Sequence, residues 1–161
     1  MRVSDWQVRV IQLLAVPGLL VSLYLWLFHS GSLVGVCEPS GWDDCGAVSG
    51  PGAPYASIGP IPVAAIGFAG FALIFAVTWL RDWFSAIDDY LPELLVGVTG
   101  MAVLFTLYLT GLEIFVIHAI CRFCVVSALI VLLMFVLSIS YLRGVASQSR
   151  EHLVEAPIDA M

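Results

Sequence analysis

Four apolar stretches, each of about 20 residues, decide what this chain of 161 residues can fold into. They run from about Val10 to Phe28, Ile61 to Leu80, Leu94 to Ile117 and Cys124 to Leu142. Backbone N–H and C=O groups find no water in a bilayer core, so such stretches cross it as helices. Transmembrane strands are shorter and alternate in polarity, which these stretches do not. Composition agrees, with 61% apolar and 11% charged residues and a mean hydropathy of +1.03. Soluble domains carry roughly 25% charge, and a globule this small has too much surface to hide so many apolar groups. Disorder requires the opposite composition. Nucleic-acid binding is excluded by a formal charge of −6 and by six basic residues, all Arg, that form no patch. The expected fold is all-α: a four-helix membrane bundle over 1–143 with a long outer loop, 29–60, between the first two spans. Residues 144–161 read as a short polar cytoplasmic tail.

The arginines set the orientation. Arg2 and Arg9 precede the first span, Arg81 follows the second, and Arg143 and Arg150 follow the fourth. The loop from His29 to Pro60 has no Lys or Arg, and the connection between spans three and four has only Arg122. By the positive-inside rule both termini face the cytoplasm. The acidic loop bearing Glu38, Asp43 and Asp44 then faces outward. No A-x-A cleavage pattern follows the first apolar run, which reads as an uncleaved span. Asp82 to Glu93, with Trp83, Phe84, Tyr90 and Pro92, reads as a connector lying at the cytoplasmic interface. Small residues in spans two and three, among them Gly67, Gly70, Gly97 and Gly100, allow close helix packing in lipid.

All four cysteines fall on the outer side, where disulfides form and persist. Cys121-Arg122-Phe123-Cys124 opens the fourth span. Residues three apart share a helix face with Cβ atoms about 5–6 Å apart, within reach of a disulfide. Unpaired N–H groups at the helix start, and Arg122 beside them, favour a thiolate. A rise of about 1.5 Å per residue puts Cys124 about 4.5 Å deeper than Cys121, so one sulfur faces water and the other the bilayer. Cys37 and Cys45 form C-x7-C in a loop rich in Gly, Pro and Ser. A structural staple is one reading. The other is a mobile dithiol, freed by Gly41, Gly46, Gly50 and Gly52, that carries electrons by thiol–disulfide exchange. Zinc fits poorly, because structural sites draw on closely spaced ligand pairs.

Glu113 lies inside the third span, which makes it a functional candidate as a proton relay or as the ion-pair partner of Arg122. His118, one turn before the C-x-x-C, and His29, at the end of span one, are titratable groups near the interface. Trp26, Phe28, Tyr108 and Phe115 read as lipid or core contacts, with flanking an aromatic ligand as the other role.

Taken together, these residues resemble the vitamin K epoxide reductase family, and within it the bacterial homologues. Over residues 6–142 the likeness is carried by Gly18-Leu-Leu-Val-Ser-Leu-Tyr24, the loop Cys37-x7-Cys45, Tyr55-Ala56 and Ile61-Pro62. Tyr108-Leu-Thr-Gly-Leu-Glu113 and Ala119-Ile-Cys121-x-x-Cys124 complete it. The resemblance implies a bundle enclosing a quinone (ubiquinone or menaquinone) near the outer face of the plasma membrane. It implies that Cys121 and Cys124 are the active pair, with Cys124 contacting the quinone and Cys121 exchanging with a loop cysteine. Glu113 and His118 are the further candidates for the quinone site. Cys37 and Cys45 would be the shuttle, oxidising a separate soluble, thioredoxin-like (DsbA-like) protein that makes disulfides in exported proteins.

Two positions depart from the family pattern. The loop serine expected six residues after the second loop cysteine is Pro51, with Ser49 nearby and Ala53 by the alternative count. The tyrosine that animal members carry four residues past the C-x-x-C is Ala128. A DsbB-type oxidase would carry its two cysteine pairs in the reverse order. Vitamin K epoxide reduction and a disulfide-stapled membrane scaffold are the alternative functions.

Overall fold

The computed structural model describes residues 5–33, 43–83 and 85–155. In chain order these form α1 (Asp5–His29), α2 (Cys45–Ser49), β1 (Ser57–Ile58), β2 (Ile61–Pro62), α3 (Val63–Leu80) and α4 (Ser85–Leu112). A π-helical turn (Glu113–Ile117) and α5 (Arg122–Glu155) complete them. Among the described residues, four stretches are long and apolar enough to cross a membrane: Trp6–His29, Val63–Leu80, Tyr90–Ile117 and Arg122–Gln148. The chain is a multi-pass membrane protein built as a helical bundle.

In the bundle, α1 packs along both α3 and α5, α4 packs along α5, and the α3–α4 seam is the sparsest. Ile11, Ala15, Phe71, Ile74, Leu95 and Met134 form its buried centre. Leu13, Leu20, Leu104, Leu107 and Leu133 point outward and are well exposed, as lipid-facing side chains should be. Three hydroxyls inside the bundle are satisfied on their own helices. Thr78 donates to the Ile74 carbonyl at 2.8 Å, Thr99 to Leu95 at 2.6 Å and Ser138 to Met134 at 2.8 Å. At the end remote from the cysteines, Arg9 and Asp82 pair at 3.1 Å.

The α1–α3 contact depends on Gly18. A Cβ there would sit 2.4 Å from the Phe71 ring, so the ring occupies a notch that only glycine leaves open. Gly18→Val is expected to cost about 1–3 kcal/mol through overpacking, read as a lowered thermal midpoint in detergent. An unchanged midpoint would show that α1 and α3 pack differently.

Three segments carry structure that the residues alone did not specify. The connector from Asp82 to Glu93 is mostly helix: α4 starts at Ser85 and runs through Pro92, as membrane helices allow. The polar tail continues α5 as far as Glu155, because beyond Gly144 no proline appears until Pro157. At about 1.5 Å per residue, the 34 residues of α5 extend about 51 Å and outrun a bilayer core of about 30 Å. Finally, the second half of the outer loop is ordered structure. β1 pairs antiparallel with β2 (Ser57 opposite Pro62, Ile58 opposite Ile61) around a turn with Gly59 at φ 62.

Candidate functional site

The site forms where the chain reverses between α4 and α5. At the end of α4 the helix widens into the π-helical turn, a local irregularity frequent at functional sites. It ends at His118, whose φ of 56 is left-handed, and the Ala119 N–H closes the turn on the Glu113 carbonyl at 3.2 Å. This reversal buries Glu113 and delivers Cys121 to the start of α5, where its carbonyl accepts the first helical bond from Val125 at 3.0 Å. Phe123 anchors that start by packing on Tyr24 of α1, with ring centroids 4.9 Å apart.

Above Cys121 lies α2, a single turn fixed by its own sequence. Asp44 caps it by accepting from the Ala47 N–H at 3.0 Å, and Cys45 and Val48 turn inward. Gly50 closes it by donating to the Gly46 carbonyl at 2.9 Å, a contact so close that a Cβ at Gly50 would strike that oxygen. His29 Nδ1 donates to the Gly50 carbonyl at 3.2 Å, tying the end of α2 to the end of α1. At the other end the Asp44 N–H donates to the Ile120 carbonyl at 3.2 Å. Gly50 and Gly52 therefore serve close approach and a positive-φ turn, and α2 is docked where the glycines suggest a mobile segment.

Docking divides the two sulfurs of the C-x-x-C. Cys121 is 0% exposed and shares a buried cluster with Cys45, Leu25 and Ala119. The expectation of a water-facing Cys121 is thus corrected: α2 covers it. Cys124, one helical turn on, lines an apolar cavity of about 580 Å³ running down the α3–α4 seam. Glu113, Ser49, Ser127, Tyr55 and His29 supply polar groups to this cavity, whose walls are mainly apolar residues such as Phe71, Val98, Met101 and Phe105. Volume, apolar walls and a few hydroxyl donors at one end suit a flat aromatic ring with carbonyl oxygens. Cys121 and Cys124 are free thiols. Cys45 is disulfide-bonded, and Cys37 lies outside the described residues.

The Glu113 carboxyl, buried below the pair, is in hydrogen-bonding range of the Cys121 backbone N–H and the Cys124 thiol. It does not meet Arg122, which points outward and pairs with Asp43, its Nε 2.7 Å from Oδ2. His118 does not line the cavity: it is exposed and its Nδ1 donates to the Val116 carbonyl at 3.2 Å. Nor do Trp26, Phe28, Tyr108 or Phe115, the last two strongly exposed. Ser49, undecided from the sequence, places its Oγ 3.7 Å from Cys124 Sγ. The signal for it was present: Asp44 is a helix cap, and Ser49 follows Cys45 by four residues, one turn along the same face.

The hydrogen bond with the Cys124 thiol holds the Cys121 thiol below the ordinary thiol range. The Cys124 and Phe123 N–H groups add to this, while burial and the charge of Glu113 oppose it. As an acid with a lowered pKa, Cys121 stays a thiolate at pH values where a free cysteine is protonated, and loses that form only as pH falls through the lowered value. In the reduced protein, the thiolate absorbance step of Cys121 is expected below that of a free cysteine. In Cys124→Ala it should move up, since the largest contributor is gone. A step unmoved by that substitution would contradict this assignment.

An apolar four-span bundle with a reactive thiol pair between a cysteine-bearing lid and a lipid-level cavity defines a membrane thiol oxidoreductase. A family model described as the vitamin K epoxide reductase family matches residues 9–139, and the chain belongs to that family. No curated protein matches the chain.

Proposed function

We propose that this protein is a quinone-dependent thiol oxidase that drains electrons from a separate soluble, thioredoxin-like dithiol protein and so supports disulfide formation in exported proteins. The observation that carries this reading is the division of the pair, with Cys121 against the loop cysteine Cys45 and Cys124 against the apolar cavity. The arginine bias supports a cysteine end outside the plasma membrane with both termini in the cytoplasm.

The partner's dithiol reduces the loop disulfide, taken to join Cys37 and Cys45. Cys45 thiolate then attacks Cys121 Sγ of an oxidised pair, forming the Cys45–Cys121 bond and releasing Cys124. Attack by Cys37 on Cys45 Sγ restores the loop disulfide and leaves two thiols at Cys121 and Cys124. When bound, a quinone (ubiquinone or menaquinone) supplies a two-electron, two-proton acceptor. Ser49, beside Cys124, and Tyr55, in the cavity wall, are placed to orient its carbonyl oxygens, and Glu113 holds the proton given up by Cys124 Sγ. A scaffold stapled by two bridges gives no reason for Cys124 to line an apolar cavity beside Ser49.

The test is a coupled assay in detergent with a reduced thioredoxin-like protein and a soluble quinone analogue. One partner disulfide should form per quinol. Partner oxidation without quinol, or epoxide reduced in preference to quinone, would overturn the reading.

A further inference from the structure

Cys45 is 2% exposed when α2 is docked, so a soluble partner cannot reach it there. If the lid carries electrons as proposed above, it must leave Cys121 to meet the partner and return in register. Something has to define that register. The contact at the lid's leading edge has the right place: Asp43 is two residues before Cys45, and Arg122 is the residue after Cys121. Arg122 donates from Nε to Asp43 Oδ2 at 2.7 Å and from Nη2 to the same oxygen. Beside it, Asp43 and Ile120 form a parallel β-bridge through the Asp44 N–H to Ile120 carbonyl bond.

Both tethers are of a kind that opens. The Arg122 side chain is 56% exposed, so its ion pair is screened by water and salt. Only one carboxylate oxygen is used; Asp43 Oδ1 is buried with no partner among the described residues, short of the two-to-two fork that makes such pairs strong. A single bridge hydrogen bond adds little more. The two tethers hold the lid by contacts adjacent to the reacting sulfurs without locking it.

We propose that Asp43 and Arg122 form an electrostatic latch that positions Cys45 over Cys121 and is released when the lid meets its partner. They are positioning residues, acting on the exchange through the lid. The proposal rests on the thiol-oxidase reading, and its signature is two rates moving in opposite directions. Losing the latch charge slows transfer from loop to pair, because the docked lid is less populated. It speeds attack on the loop disulfide from solution, because the undocked lid is more populated.

The test uses the full-length, fully oxidised protein in detergent without quinone. Dithiothreitol reduces the loop, samples are acid-quenched and alkylated, and mass spectrometry follows thiols at Cys45 and at Cys121 and Cys124. A Cys37→Ala/Cys45→Ala variant gives the direct background. Asp43→Asn is expected to slow loop-to-pair transfer about fivefold at low salt, the scale of one exposed ion pair, while loop reduction accelerates. Salt should move the wild type toward the variant and leave the variant unmoved, and Asp43→Glu should restore both rates. Quinone reduction by pre-reduced protein should stay at the wild-type rate in Asp43→Asn. Unchanged transfer, both rates falling together, or salt dependence persisting in Asp43→Asn would overturn the latch. Quinone reduction surviving in Cys124→Ala would instead overturn the thiol-oxidase reading beneath it.

Discussion

Cys124→Ala is expected to abolish quinone reduction, and Cys37→Ala/Cys124→Ala, treated with the thiol oxidant diamide, to hold the loop as a stable Cys45–Cys121 disulfide. Both effects follow from the division of labour between the sulfurs. Cys124 is the member of the pair that lines the cavity, with Ser49 Oγ 3.7 Å from its Sγ, so it is the sulfur of the pair from which electrons leave. Cys121 keeps its place beneath Cys45, and with Cys37 and Cys124 both replaced no neighbouring thiol remains to resolve the bond that diamide forms between them. The substitution removes little packing volume, so folding should survive, and non-reducing mass mapping of the purified variant reads the trapped bond. Retained turnover, or a mixed disulfide mapped to Cys124 in the Cys121→Ala counterpart alone, would contradict the assignment.

Glu113→Gln is the second large effect. Removing a positioned acid–base group costs typically about 10²–10⁴ in rate, and the loss should fall on the thiol-to-quinone step. Glutamine can still accept from the Cys121 N–H, so the turn that positions the pair is kept. Loop-to-pair exchange should therefore stay near the wild-type rate. Glu113→Ala should be worse in a different way: it leaves a buried N–H without a partner and a hole under the pair, so the thermal midpoint drops as well. Rapid-quench measurement of the two steps separates these outcomes. Equal slowing of both steps in Glu113→Gln would make Glu113 a structural group only.

Much of this architecture was legible in the residues. Apolar runs of membrane length leave the helix as their only spanning form, and a C-x-x-C opening such a run sets one sulfur a turn deeper than the other. The lid was half legible. Asp44 marks a helix start, but burial of Cys45 over Cys121 depends on Leu25 and Ala119, which lie far from it in sequence. The π-helical turn has no composition of its own, so its consequence was hidden. By turning Glu113 inward it removes the nearest acid from Arg122, which finds Asp43 across 79 residues of sequence instead. His118 illustrates the same point: proximity to the cysteines along the chain suggested a role, yet the left-handed step at the end of the turn points it outward.

The most direct test is a single turnover. Protein reduced at Cys121 and Cys124, freed of reductant and lacking any thiol partner, is mixed in detergent with one equivalent of a quinone analogue. One quinol should form for each Cys121–Cys124 disulfide mapped by mass spectrometry, with the disulfide at Cys45 unchanged. Quinol formed while Cys121 and Cys124 remain thiols, or a pair that stays reduced with the quinone intact, would contradict the claim that these two sulfurs join the lid to the cavity.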